Sequence, residues 1–250
     1  MSTALEYLGD LPLYWINLDR SKERRQHMFD VVEPLFLYGS ERIDAIEGYT
    51  VSELETDQFV TNWQVYWEEN RDQLTYANRP PGDRFRMGTQ KANIAIRRSH
   101  LKALRHGILN EQARFVVAED DIMPRSTLFS GEVPLPPADA DVAIWSGGLP
   151  MAGVGHDSDL FEAGRPHRWV RVKDSFCFNA LGAGCYEVSN AAAHHLIDRA
   201  GHVPMSWDHA WGAAFQRLTV YRLRPNAFAQ VGPSVRNGKV REPTIERKSA

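Results

Sequence analysis

Residues Arg114 to Pro124 read RFVVAEDDIMP, and the change of character halfway along that stretch points to the fold class. Phe115-Val116-Val117-Ala118 is too short for an isolated helix and β-branched at its centre, so it predicts a buried strand. The strand runs straight into Glu119-Asp120-Asp121. Three carboxylates at the mouth of a buried strand repel one another and lose hydration, costs that a bound divalent cation offsets. In open α/β sheets ligands lie outside the carboxyl ends of the strands, which is where this triplet projects. The same residues also suit an acidic turn or a helix N-cap, so on their own they leave both readings open.

Upstream, Leu11 to Leu18 (LPLYWINL) predicts a first strand. Ser21 to Pro34 predicts a helix capped by Ser21, with Met28, Val31, Val32 and Leu35 at helical spacing. A short strand within Leu37 to Ile43 follows, leading into Asp44-Ala45-Ile46-Glu47-Gly48. Strand, helix and strand in this order suggest a parallel crossover unit. Residues 49–88 change character and predict a helical insertion. Ser52 and Glu55 form a capping-box pattern, and Phe59, Trp63, Tyr66 and Trp67 share one side, where they pack on the core in preference to stacking a sugar or base. The loop Asn78 to Arg86 is basic and broken by Pro and Gly; it suits a lid or an ordinary solvated connection. From Gly88 to Asn110 a long helix carries an apolar stripe of Ile94, Leu101, Leu104 and Ile108. Arg97 falls within that stripe and His100 on its flank, so Arg97 requires a carboxylate partner or a bound phosphate.

Downstream, Pro124 to Pro137 is irregular, Asp141 to Trp145 predicts a strand, and Met151 to His167 a long loop. Trp169 to Val172 and Phe176 to Leu181 are short strand candidates. Gly182-Ala183-Gly184 precedes another strand, so it is no dinucleotide fingerprint, and Ser189 caps a helix running through Ala200. Pro204 to Leu218 opens with Trp207-Asp208-His209; Ser206 or Asp208 can cap a helix there, while the functional reading turns Asp208 and His209 toward the acidic triplet. Val220 to Leu223 gives a last strand. The expected architecture is one α/β domain over residues 1–236, a mostly parallel central sheet flanked by helices, with the insertion at about 49–88 and a polar, basic tail at 237–250.

The 250 residues are 43% hydrophobic and 24% charged, ordinary for a globular protein, and the formal charge of -3 gives no general attraction to phosphate polymers. Two cysteines, Cys177 and Cys185, indicate neither a disulfide framework nor a thiolate metal site. Glu6 and Asp10 sit where a secretion signal needs a basic and then an apolar run, and no stretch approaches the ~20 apolar residues of a membrane span, so a cytoplasmic location is expected.

Several of these segments, taken in order, resemble glycosyltransferase family 25, the group of bacterial lipopolysaccharide galactosyltransferases and collagen galactosyltransferases. The segments are YWINLDRSKERRQHM, RIDAIEG, RRSHLKAL, FVVAEDDI, LGAGCYEVSNAAAHHLI and PMSWDHAW, spread over roughly residues 13 to 236. The resemblance implies a GT-A-like fold, a sandwich binding a UDP-sugar together with Mn²⁺ or Mg²⁺. It implies that Asn17, Leu18 and Arg20 line the nucleotide pocket with Asp44 nearby, that Ser99 and His100 lie near the donor, and that Asp121 holds the metal with Asp120 or Glu119. Arg97 would be a second clamp on the leaving diphosphate. An inverting transfer needs a base on the acceptor side, for which Asp208 is the first candidate and His209 the second. The chain departs from the family where a Gly-Cys pair usually precedes Ser-His; here Ile94-Ala95-Ile96-Arg97-Arg98 stands there.

The implied activity is transfer of a hexose from a UDP-sugar to a hydroxyl acceptor, preferentially a saccharide. Two alternatives keep parts of this reading. One makes the acceptor a modified nucleic-acid base, on the strength of Arg79, Arg84 and Arg86 and of Arg236, Lys239 and Arg241. The other retains the fold as a carbohydrate- or partner-binding module without catalysis.

Overall fold

Short strands that are apolar at successive positions need cover on both faces of a sheet, and helices supply it here on each side. The computed structural model of the protein describes residues 2–69, 87–146, 166–172, 183–203, 207, 210 and 217–230. Along the chain the elements are α1 (Ala4–Gly9), β1 (Leu13–Asn17), α2 (Lys22–His27), β2 (Ser40–Asp44), α3 (Glu53–Glu69), α4 (Met87–Leu109), β3 (Arg114–Glu119), β4 (Ile122–Pro124), α5 (Ser126–Phe129), β5 (Val142–Ser146), β6 (Arg168–Arg171), β7 (Cys185–Ser189), α6 (Asn190–His202), β8 (Val220–Arg224) and β9 (Phe228–Gln230).

The central sheet has seven strands in the order β2-β1-β3-β7-β5-β8-β6. β1 pairs in parallel with both β2 and β3, and β5 with β8, whereas β7 opposes β3 and β5, and β6 opposes β8. Five strands therefore share one direction and only β6 and β7 run against them, a mixed form of the expected mostly parallel α/β sheet. Successive residues point to opposite faces. Tyr14, Ile16, Phe115 and Val117 join one buried cluster with Ile94, Leu101 and Leu104 of α4 and Ala193 and Leu196 of α6. Leu13, Trp15, Val116 and Ala118 join the other, with Leu8 of α1 and Met28, Val32 and Phe36. No helix among the described residues is long and apolar enough to cross a membrane.

Local chemistry explains most boundaries. Thr3 and Glu6 cap α1 reciprocally, a helix absent from the sequence reading. The box expected at Ser52 forms: Glu55 N donates to Ser52 Oγ (3.2 Å) and Ser52 N to Glu55 Oε2 (2.9 Å). Phe59 and Trp63 of α3 are buried in the core, as expected of that aromatic stripe. Ser189 accepts from Ala192 N (3.2 Å) and opens α6, which continues past Ala200 to His202. Ser21, by contrast, makes no side-chain cap bond. The single helix expected over Ser21 to Pro34 is instead α2, a π-helical turn at Met28–Val32 and a 3-10 turn at Glu33–Leu35. The wider turn rotates Val31 into solvent while Met28 and Val32 stay buried. Gly107 lets α4 lie directly on β3, since a Cβ there would meet the Phe115 ring at 2.5 Å. The strand expected at Phe176 to Leu181, the loops at 78–86 and 151–165, and the tail from Val231 lie outside the described residues.

Candidate functional site

Parallel pairing brings the carboxyl ends of β2, β1 and β3 side by side, with Asn17 opposite Asp44 and Ile16 opposite Glu119. The turn after β3 carries the acidic triplet over this edge. A cavity of about 240 Å³ opens there, lined by Ile16, Leu18, Arg24, Ala45, Ile46, Ile96, Ser99, His100, Glu119, Asp120 and Asp121.

The three carboxylates have different surroundings. Asp120 is buried; its Oδ2 accepts from Asn17 Nδ2 (2.6 Å) and its Oδ1 from Arg24 Nη1 (2.9 Å). Glu119 Oε1 lies 3.2 Å from His100 Nε2, and Oε2 accepts from Gln230 Nε2 (2.9 Å). Burial alone would raise the Glu119 pKa, but His100, Gln230 and Arg24 outweigh it and hold the carboxyl below its ordinary value. Asp121 has the opposite balance. Its Oδ2 lies 3.8 Å from Arg24 Nη1, and its buried Oδ1 has no hydrogen-bond partner on another residue. Loss of hydration, followed by the charge of Glu119, raises its pKa to about 7.

The residues singled out from the sequence divide into two groups. Leu18, Ser99, His100, Glu119, Asp120 and Asp121 line the cavity together. Ser99 Oγ accepts from Ile46 N (2.8 Å) and donates to Ala95 O (2.7 Å), tying the segment after β2 to α4. His100 is buried, stacked on Trp207 with ring centres 4.8 Å apart and planes within 9°, and its Nδ1 lies 3.2 Å from the Tyr186 hydroxyl. Asn17 is buried at the edge and serves as a hub: besides Asp120 it holds Ser21 O, and its Oδ1 accepts from Arg25 Nε and Arg42 Nη1 (both 3.2 Å). Arg20 and Asp44 stand outside the cavity wall, Arg20 paired with Glu47 and Asp44 with Arg42.

Arg97, expected as a second clamp on the diphosphate, is not on that wall. It lines a second groove, of about 470 Å³, with Phe59, Ile94, Arg98 and Leu101, and its Nη2 donates to Ala200 O (2.8 Å). Burial, then the neighbouring Arg98, lowers its pKa to about 10. Asp208 and His209 lie outside the described residues. Trp207, which precedes them in the chain, is buried and stacked on His100.

The sequence reading missed Arg24 and Gln230. Arg24 stands within a run of cations, and its helical position after β1 was the available signal. Gln230 carries no signal. It reaches Glu119 because β9 pairs with β4, which follows the triplet directly, and because Gly184 leaves room: a Cβ there would meet Gln230 Nε2 at 2.9 Å.

Among the described residues no three His, Cys, Asp or Glu side chains stand ready as a metal cage. Glu119 and Asp120 have both oxygens bonded to protein groups. A hard cation of the Mg²⁺ type is nevertheless held by one or two carboxylates and completes its shell with phosphate oxygens and water. Asp121, with a buried oxygen lacking a partner and Asp120 beside it, fits that requirement. No protein-family profile matches the chain, and no characterised protein matches it at a significant level.

Proposed function

We propose that this chain is a metal-dependent hexosyltransferase of the family 25 type, with a GT-A-like fold, that moves a hexose from a UDP-sugar to a hydroxyl of a saccharide acceptor with inversion, in the cytoplasm. The observation that carries this reading is Asp121: a carboxylate oxygen buried without a partner at the mouth of a cavity on the carboxyl edge of parallel strands. Asp121 and Asp120 would hold Mn²⁺ or Mg²⁺, which when bound neutralises charge developing on the departing diphosphate.

The protein's own groups have separate tasks. Ile16, Leu18, Ala45, Ile46 and Ile96 offer an apolar wall against which a base or sugar ring packs and which excludes water. Asn17 fixes Asp120, and His100 with Gln230 fixes Glu119, so two of the three carboxylates are oriented before any ligand arrives. Asp208 accepts the proton of the attacking acceptor hydroxyl. Support for that assignment is the stack of Trp207 on His100, one residue before it in the chain.

The test is calorimetry with UDP-glucose, UDP-galactose and GDP-mannose, with and without Mn²⁺, on the native chain and on Asp121→Ala. Metal-dependent binding of a UDP-sugar that Asp121→Ala abolishes is the expected result. Binding of no donor under either condition overturns the reading and favours a binding module.

A further inference from the structure

The cavity already contains a cation. Arg24 Nη1 lies 2.9 Å from Asp120 Oδ1 and 3.8 Å from Asp121 Oδ2, so the guanidinium sits beside the two carboxylates assigned to the metal. Asp120 cannot turn away from it, because Asn17 Nδ2 holds the other oxygen at 2.6 Å. Arg25, the next residue, is bonded to Asn17 and to both the carbonyl and the carboxylate of Asp19, which anchors α2. Arg24 itself is only half-buried, and among the described residues its Nε and Nη2 make no hydrogen bond.

Like charges a few ångströms apart repel strongly, so a divalent ion arriving alone at Asp120 and Asp121 meets the guanidinium as a competitor. An anion of the diphosphate class removes that conflict, since Arg24 lines the cavity and its planar fork suits phosphate oxygens better than one carboxylate contact. We propose that Arg24 is an exchangeable counter-ion: it neutralises the acidic turn in the unliganded protein, weakens binding of a bare divalent cation, and transfers to the diphosphate when cation and nucleotide bind together. The exchange makes the two ligands mutually dependent without a moving domain. The inference rests on the donor reading above for its anion, and on the geometry of Arg24 for its cation.

The experiment measures free Mn²⁺ by electron paramagnetic resonance during titration of the native chain, Arg24→Gln and Arg24→Lys, and UDP binding at saturating Mn²⁺ by calorimetry. Opposite shifts are expected in Arg24→Gln: Mn²⁺ alone binds ~10-fold more tightly because a repelling charge is gone, and UDP binds ~10-fold more weakly because the fork is gone. Arg24→Lys keeps the charge without the fork, so its Mn²⁺ affinity stays near native while its UDP affinity falls. A merely structural arginine weakens both ligands together, and that result overturns the proposal, as does unchanged Mn²⁺ affinity in Arg24→Gln. If the native chain binds Mn²⁺ but no UDP, the donor reading falls; tighter Mn²⁺ in Arg24→Gln then still establishes Arg24 as the counter-ion.

Discussion

Replacing Asp121 by Asn should alter the pH dependence of stability in a defined direction. The carboxyl has an ordinary value of 3.8 and titrates at about 7 in the folded protein, raised by lost hydration and then by Glu119. The folded state therefore binds the proton more tightly than the unfolded state, and stability drains away as pH rises from about 4 to about 7. Over that window the gap corresponds to about 4 kcal/mol at most. Between pH 5 and pH 8 the native protein should lose about 3 kcal/mol relative to Asp121→Asn, which cannot ionise. Urea unfolding at both pH values in metal-free buffer measures the difference directly. At pH 8 Asp121→Asn should be the more stable protein, and Mn²⁺ should narrow the gap by stabilising the native chain alone. Parallel pH profiles for the two proteins would refute the view that burial and Glu119 outweigh Arg24 at Asp121.

Three further outcomes follow from particular contacts. Gly107→Ala should cost about 1–3 kcal/mol in denaturant unfolding, because its methyl group would meet the Phe115 ring and force α4 off β3; Phe115→Leu in the same chain should recover part of the loss. Gly184→Ala should displace Gln230 from Glu119 and cost about 1 kcal/mol by removing one donor from a half-buried carboxylate, readable as a lower melting temperature. Asp208→Asn should abolish hexose transfer while leaving UDP-sugar affinity near native in calorimetry; normal turnover would remove Asp208 from the role of base.

The stretch around the acidic triplet was legible because two strong local signals coincide there, a β-branched run and an abrupt block of charge. β3 forms where Phe115 to Ala118 predicted it, and the α4 stripe buries Ile94, Leu101 and Leu104. Residues whose placement depends on tertiary pairing were not legible. Helical periodicity placed Val31 with the core, but the π-helical turn shifts the phase and exposes it. Arg20, Arg24 and Arg25 look alike in the sequence, yet they choose Glu47, Asp120 and Asp19 respectively. Their order along the chain says nothing of which acid each will face. Arg97, placed on the apolar stripe by its periodicity, lines the second groove and not the cavity at the acidic turn, since periodicity gives a helix face without naming what packs on it. β4 and β9, three residues each, are too short for any pattern, and with them Gln230 was invisible.

That last pairing has a consequence for how the protein is made. Gln230 and Glu119 are 111 residues apart, so the bond between them forms only when both have been synthesised. At roughly 5–20 residues per second, a ribosome spends about 6–20 s between them. During that interval β1, β2 and β3 are available to pair, while the acidic turn lacks its last donor. Until then His100 is the partner available to Glu119, and the second bond to its carboxylate forms only late in synthesis.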